Sequence, residues 1–374
     1  FFLPCMLIAC GGSDDTPDGD NNPPVVAPPC EEPVDSRLLY NGIRLPEQWP
    51  PVRSSSSELE KGMSPFYLSD KPSVINISVG RQLFVDNFLI ESTNLKRTFH
   101  YPEYYSGNPI LTPEQDWEKT GTKGAAFAAP FSDGVWYDEK EGKYKMWYMA
   151  GGGSYATSGA GVTCYAESTD GIHWTKPTLS VVAGTNIVDY NSERDASVIW
   201  LDKQESNASK RYKMFLVARE SGKWRYHYKT SPDGKVWRAA AQSEPIADRS
   251  TVYKNPFRNV WVYSMRHNVR VDANKLVRAR DYNENTDPEA GTKKAEALLS
   301  AFWFGPWANE QHHTDYPNIA PAIYNQDATP YESIMLGFFS VWQGPENDVC
   351  ASDNVIKRNQ VMVGYSRDGY SWFR

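Results

Sequence analysis

The sequence has little of what usually marks a function. Its five cysteines, at positions 5, 10, 30, 164 and 350, show no metal-ligand spacing, which argues against both a zinc site and a disulfide scaffold. A Cys164–Cys350 pair is the one pairing left open. Lys and Arg (39) are outnumbered by Asp and Glu (46), and no basic block occurs, so nucleic acid is not expected as a partner. The net charge of −7 suits a neutral or weakly charged ligand better. No phosphate-cradling glycine loop, Ser-His-Asp order or metal-ligand cluster is present, and no cofactor is expected, although a structural Ca2+ on an axis would be compatible. What abounds is aromatic and turn-forming: 13 Trp, 22 Tyr, 15 Phe, 26 Gly and 26 Pro, at a mean hydropathy of −0.59. That mixture is too aromatic for a disordered chain and too rich in turn formers for a helical bundle. It points to a turn-rich, all-β protein.

Residues 1–10 are apolar, while residues 11–20 hold four Asp and no positive charge. The run is too short for a bilayer span, which needs ~20 residues. It reads as the end of a signal peptide, and Leu7-Ile8-Ala9-Cys10 resembles a bacterial lipobox with Cys10 as the lipidated residue. The alternative is a buried strand fragment that ends in Cys. Residues 11–36 are Pro-, Asp- and Asn-rich and form a tether like that of surface lipoproteins in Bacteroidetes-type bacteria. The expected place is therefore the outer membrane, held only by a lipid anchor, with an irregular leader over 37–79 and a folded domain over 80–374.

A repeat organises that domain. Ser168-Thr-Asp-Gly-Ile-His-Trp174, Ser231-Pro-Asp-Gly-Lys-Val-Trp237 and Ser366-Arg-Asp-Gly-Tyr-Ser-Trp372 each follow an alternating, Tyr-containing strand. Asp-Gly between two such runs signals a hairpin, because the tight turn needs positive φ. The copies start 63 and 135 residues apart, so a degenerate copy with an insertion is expected near Tyr282–Trp307. Upstream of each lies a second pair of strands: Gly134–Met149, Val198–Val217, Thr251–Tyr263 and Ala322–Trp342. Four units of about four strands are the signature of a β-propeller, with a β-sandwich as the alternative. With Leu83–Leu111 as a leading segment, the four units leave the ring one blade short of five. The domain is thus expected to be a five-bladed propeller with about four blades in this chain and more sequence beyond Arg374.

In a propeller the innermost strands line the axis, and an acidic residue there is costly unless it works. The starts of the units place Asp86, Asp133, Asp195 and Asp248 in the expected funnel, the last two beside Arg194 and Arg249. Glu332 is the candidate general acid, because Tyr331 and the apolar Ile334–Leu336 would raise its pKa. Asp195 and Asp248 are candidates for base or stabiliser, with Arg194 and Arg249 orienting them. Arg266, His267 and Tyr331 are candidate substrate contacts. For each the competing role is structural, an ion pair between blades. Asp170, Asp233 and Asp368 are read as turn formers. Their hairpins resemble the Asp boxes of sialidases, with one residue fewer between Asp and Gly.

Leu83-Phe-Val-Asp-Asn-Phe-Leu-Ile-Glu91, Leu95-Lys-Arg-Thr-Phe-His100, Asn108-Pro-Ile-Leu111, Tyr144-Lys-Met-Trp-Tyr148 and Tyr331-Glu-Ser-Ile-Met-Leu-Gly337 resemble bacterial proteins related to glycoside hydrolase family 32. The resemblance covers most of residues 80–374 and implies the five-bladed propeller shared by families 32 and 43. Arg194-Asp195 resembles the family's Arg-Asp-Pro element with Ala196 in place of Pro, and the Trp-Met-Asn-Asp-Pro and Glu-Cys motifs are absent. The leading expectation is a glycosidase that cleaves oligo- or polysaccharides with paired carboxylates. A non-catalytic glycan-binding propeller and a structural surface lipoprotein are the alternatives.

Overall fold

The computed structural model describes residues 36–53, 65–78, 80–98, 100–119, 126–155, 161–190, 193–272, 275–296 and 300–374. The chain divides into two units, 1–36 and 37–374, and everything below belongs to the second. Cys10 and the expected anchor lie outside the described residues, as does all of the tether except Ser36.

The second unit is all-β apart from short helices such as α1 (Asp116–Lys119). Its strands form four antiparallel sheets in a propeller arrangement. Blade one holds β1 (Ala128–Ala129), β2 (Val135–Asp138), β3 (Lys143–Ala150), β4 (Val162–Ser168) and β5 (Ile187–Asp189), with β1 and β2 sharing the inner edge against β3. Blade two is β6 (Glu193–Leu201), β7 (Tyr212–Glu220), β8 (Lys223–Ser231) and β9 (Arg238–Gln242). Blade three is β10 (Thr251–Asn255), β11 (Val260–Asp272), β12 (Lys275–Asn285) and β13 (Ala301–Phe304). Blade four is β14 (Ala322–Tyr331), β15 (Ile334–Gly344) and β16 (Arg358–Ser366), with a bridge from Tyr365 to Phe373 beginning a fourth strand. The degenerate repeat sits where the spacing put it. Between β12 and β13, the helix α2 (Pro288–Lys294) replaces the tight turn, capped by the Asp287 carboxylate on the Ala290 N–H at 2.6 Å and started by Pro288.

Aromatic rings hold blade to blade. Trp136 of blade one meets Trp200 of blade two with centroids 4.7 Å apart, and Trp200 meets Trp261 of blade three at 5.8 Å. Tyr253 of blade three then packs edge-on to Trp372 of blade four, and Phe304 packs on Phe339. Rings of this size bury much apolar area per residue, so they dominate the cohesion of small, flat sheets. The segment Leu83–Leu111 carries no strand among the described residues. It runs irregularly over the blades and contributes Phe88 to the core, beside Leu39, Ile43, Leu45 and Tyr67 from earlier in the leader. The face of blade four turned away from blade three leaves Phe338, Val361 and Val363 exposed, and cross-strand pairing puts Phe338 and Val363 on that one face. Cys164 and Cys350 are both free thiols, so the pairing left open does not form.

The three hairpin turns share one hydrogen-bond pattern. In each, the Ser hydroxyl accepts from the Gly N–H at 2.9 Å (Ser168–Gly171, Ser231–Gly234, Ser366–Gly369), and the Asp Oδ1 accepts from the two N–H groups after the Gly. The carboxylate thus satisfies backbone donors that a tight turn leaves unpaired. Each of the last two turns also docks on the preceding blade. Trp147 Nε1 donates to the Gly234 carbonyl at 2.6 Å, and the Tyr253 hydroxyl donates to the Gly369 carbonyl at 2.7 Å. Gly234 is obligatory twice over, since its φ is +78° and an added Cβ would lie 2.3 Å from the Trp147 ring. Asp368 is fully buried whereas the Asp170 side chain is 45% exposed. Asp368→Ala should therefore cost about 2–3 kcal/mol and Asp170→Ala clearly less, because only the first leaves its donors both unpaired and dry. Urea unfolding of the two variants checks this, and equal losses would contradict it.

Candidate funnel site

The inner strands bring their polar residues together because each begins or bulges at the axis. Between Ala129 and Val135 the inner edge of blade one leaves its ladder, and Pro130–Gly134 turn inward with Ser132 at φ +69°. A one-residue bulge at Asp195 and Ala196 does the same in blade two. Arg249, just before β10, sits at φ +59°. A bulge at Tyr324 re-aims the start of β14. Left-handed conformations at two non-glycine residues beside one cavity are the kind of strain found at functional sites.

Contacts run from blade to blade around this centre. Ile199 donates its N–H to the Asp133 carbonyl at 2.6 Å, and the Arg249 N–H donates to Asp195 Oδ2 at 2.6 Å. The Ser264 hydroxyl donates to Gln326 Oε1 at 2.7 Å. Ser132 Oγ then donates to Asp327 Oδ2 at 3.0 Å, joining blade one to blade four, and Asn325 Nδ2 donates to the same oxygen at 2.7 Å. Two cavities of about 510 and 390 Å³ adjoin here, and Pro130, Ser132, Asp327 and Phe338 line both. The larger is walled by Trp136, Trp200 and Val252, and the smaller by Phe131, Arg249, Tyr324 and Asn359.

Most charges at the centre are paired. Asp133 is fully buried, with Arg194 Nη2 at 2.9 Å and the Phe131 N–H at 2.7 Å; burial pushes its pKa up, and those two donors pull it back. Asp195 Oδ1 lies 3.4 Å from Arg249 Nε, and Asp248 Oδ1 lies 2.5 Å from Arg266 Nε. His267 Nδ1 is 3.2 Å from Asp281 Oδ2, which raises the imidazole pKa. Asp327 differs from these. Burial pushes its carboxyl up to about 6, with the Asp133 charge adding to the rise and Ser132, Arg280 and Asn325 opposing it. Its Oδ2 takes both hydrogen bonds while Oδ1 has no hydrogen-bond partner among the described residues. Oδ1 is itself buried, while the residue as a whole lines both cavities. The sequence reading places Asp327 at the opening of blade four but gives it no role. The signal available was Asn325 and Asp327 two apart, on one side of an otherwise strand-forming run.

The sequence candidates separate into two groups. Asp133, Arg194, Asp195, Asp248, Arg249 and Arg266 gather at the centre. Glu332 and Tyr331 do not, because Glu332 occupies the β14–β15 turn at φ +51°, five residues or roughly 16 Å along the strand from Asp327. There its carboxylate accepts from the Arg81 N–H at 3.0 Å and ties the leader down, while Tyr331 is exposed. Asp86 likewise leaves the funnel for the rim, where Arg367 grips both its oxygens at 3.0 and 3.1 Å. Among the described residues no three His, Cys, Asp or Glu gather to hold a metal ion, and no helix is long and apolar enough to cross a membrane.

No protein-family model and no curated protein matches the chain. Among solved structures it is similar to propeller glycosidases of the family 32 and 43 types. A Bombyx mori GH32 β-fructofuranosidase is 12% identical, with a TM-score of 0.41 over 63% of this chain and 47% of that one. A Cellvibrio cellulosa α-L-arabinanase complexed with arabinohexaose is 7% identical, with a TM-score of 0.41 over 69% and 80%. A Bacteroides ovatus glycosyl hydrolase is 11% identical, with a TM-score of 0.40 over 74% and 79%. The chain spans about half the length of the fructofuranosidases it matches.

A carboxyl whose pKa is higher folded than unfolded binds extra protons in the native state, so it lowers stability as pH rises. For Asp327 this loss begins near the ordinary carboxylate value of 3.8 and is complete above about 6. Asp327→Asn should therefore hold its stability better than the parent between pH 4 and pH 7 in urea melts. Parallel pH profiles for the two proteins would contradict the assignment.

Proposed function

We propose that this propeller is a glycosidase whose funnel binds a sugar ring and in which Asp327 donates the proton to the leaving oxygen. The observation that carries this reading is a carboxyl with its pKa raised toward neutrality on a residue that lines two adjoining cavities. An acid poised near the working pH combines a sufficient protonated fraction with a real driving force for transfer. Asp195 is the second carboxylate, held in place by the Arg249 backbone N–H, and it activates water or stabilises the cationic transition state. Trp136 and Trp200 on the wall of the larger cavity supply apolar surface for the C–H side of a sugar. Anchored through Cys10, such an enzyme would act on glycans at the cell surface.

A second reading, a glycan-binding propeller without catalysis, is favoured by one observation. Asp133, Asp195 and Asp248 are each paired with an arginine, as structural carboxylates would be.

Release of reducing sugar from a panel of plant and algal glycans separates the two. The first reading expects turnover that falls as pH rises through about 6, a loss of at least 100-fold in Asp327→Asn and Asp195→Asn, and near-parental turnover in Glu332→Gln. Glycan binding with no release by the parent upholds the second reading, and a large loss in Glu332→Gln alone would overturn the assignment of the acid.

A further inference from the structure

The acidic chain as a whole suits a neutral ligand, yet the funnel is rich in arginine. β11 and β12 run beyond the end of β10 as a two-stranded ribbon, because β10 pairs only as far as Ser264. Along that ribbon Arg266 lies opposite Arg280, and Asn268 lies opposite Arg278, so three guanidinium side chains spring from one face. The ribbon leans on blade four, where Val269, Val277 and Ala279 share a core with Ala322 and Trp342. This brings the Arg278 guanidinium over the rings of Tyr324, at 5.5 Å from the centroid, and Trp342, at 5.1 Å. Arg249 in turn lies 4.7 Å from the Tyr324 centroid and 3.9 Å from that of Phe131.

Two guanidiniums therefore converge on Tyr324, a wall residue of the 390 Å³ cavity. Arg278 has no carboxylate within ion-pair distance among the described residues, whereas Arg249 shares its charge with Asp195, whose Oδ1 lies 3.4 Å from its Nε. Arg280 adds a third charge behind them; it is fully buried and donates to the Ser264 hydroxyl at 2.9 Å and the Arg249 carbonyl at 2.8 Å, with no carboxylate partner among the described residues. Guanidiniums stacked on rings are held flat and pre-oriented, which suits them to bidentate recognition of a planar anion. Partial desolvation by the aromatic walls strengthens that attraction.

We propose that the Arg249–Tyr324–Arg278 wall binds an anionic group of the glycan, a uronate carboxylate or a sulfate ester, placing the adjoining sugar against Asp327. The inference rests on the glycosidase reading for what is bound and adds the charge of the substrate.

Equilibrium binding of three probes to the intact protein tests it: an oligogalacturonide, its carboxyl-reduced neutral counterpart, and a sulfated galactan oligosaccharide of the same length. The parent should bind at least one anionic probe ten-fold or more tighter than the neutral one, with the preference shrinking as salt rises. Preference for the uronate or for the sulfated probe identifies which anion the site takes. Arg278→Met, which keeps the packing stem, should abolish the preference, and Arg278→Lys should retain part of it. Equal binding of all three probes, or an undiminished preference in a folded Arg278→Met protein, overturns the inference. Cleavage of a neutral glycan beside equal binding would sink the anionic inference alone, whereas neither binding nor cleavage of any glycan would sink the glycosidase reading as well.

Discussion

The structure depends on one constraint: four inner strands bring charged residues together at one centre, where Asp133 and Arg194 are withdrawn from water and Asp195 and Arg249 nearly so. Every carboxylate placed there must be compensated or stay protonated. Asp133 is compensated by Arg194, Asp195 by Arg249 and Asp248 by Arg266. Asp327, hydrogen-bonded by neutral donors alone, takes the other course, and burial lifts its pKa instead. The same crowding forces the bulges and left-handed residues that turn Ser132 and Arg249 inward. Packing, strain and electrostatics at the centre are thus parts of one arrangement.

Much of the fold was legible because its signals are local. Asp170, Asp233 and Asp368 satisfy backbone donors within three residues of themselves, so the turns could be read without knowing what surrounds them. The degenerate third repeat was legible from spacing, with Asp287 and Pro288 marking the helix that replaces it. The aromatic surplus was legible as blade packing, since Trp147, Trp261, Trp303 and Trp372 are fully buried.

The site was legible only in part, and the reason is geometric. Which end of an inner strand faces the funnel depends on how blades dock, which no local pattern encodes. Glu332 looked like an acid in an apolar setting, yet its position in a hairpin turn carries it to the leader and Arg81. Asp86 was drawn to Arg367, 281 residues away in the chain, a pairing that spacing could not reveal. Asp327 was hidden because its raised pKa comes from burial and from Asp133, two blades of sequence apart.

A net charge of −7 does not report how charge is distributed, and Arg249 and Arg278 both lie over the Tyr324 ring. The central claim is that one funnel carboxyl keeps its proton near neutrality while its neighbours are held by arginines. Carboxyl 13C NMR titration of the aspartate side chains, with the Asp327 signal assigned by its loss in Asp327→Asn, tests that claim most directly. A midpoint near pH 6 for that signal is the expected result. A midpoint at the ordinary carboxylate value, about 3.9, would contradict the account.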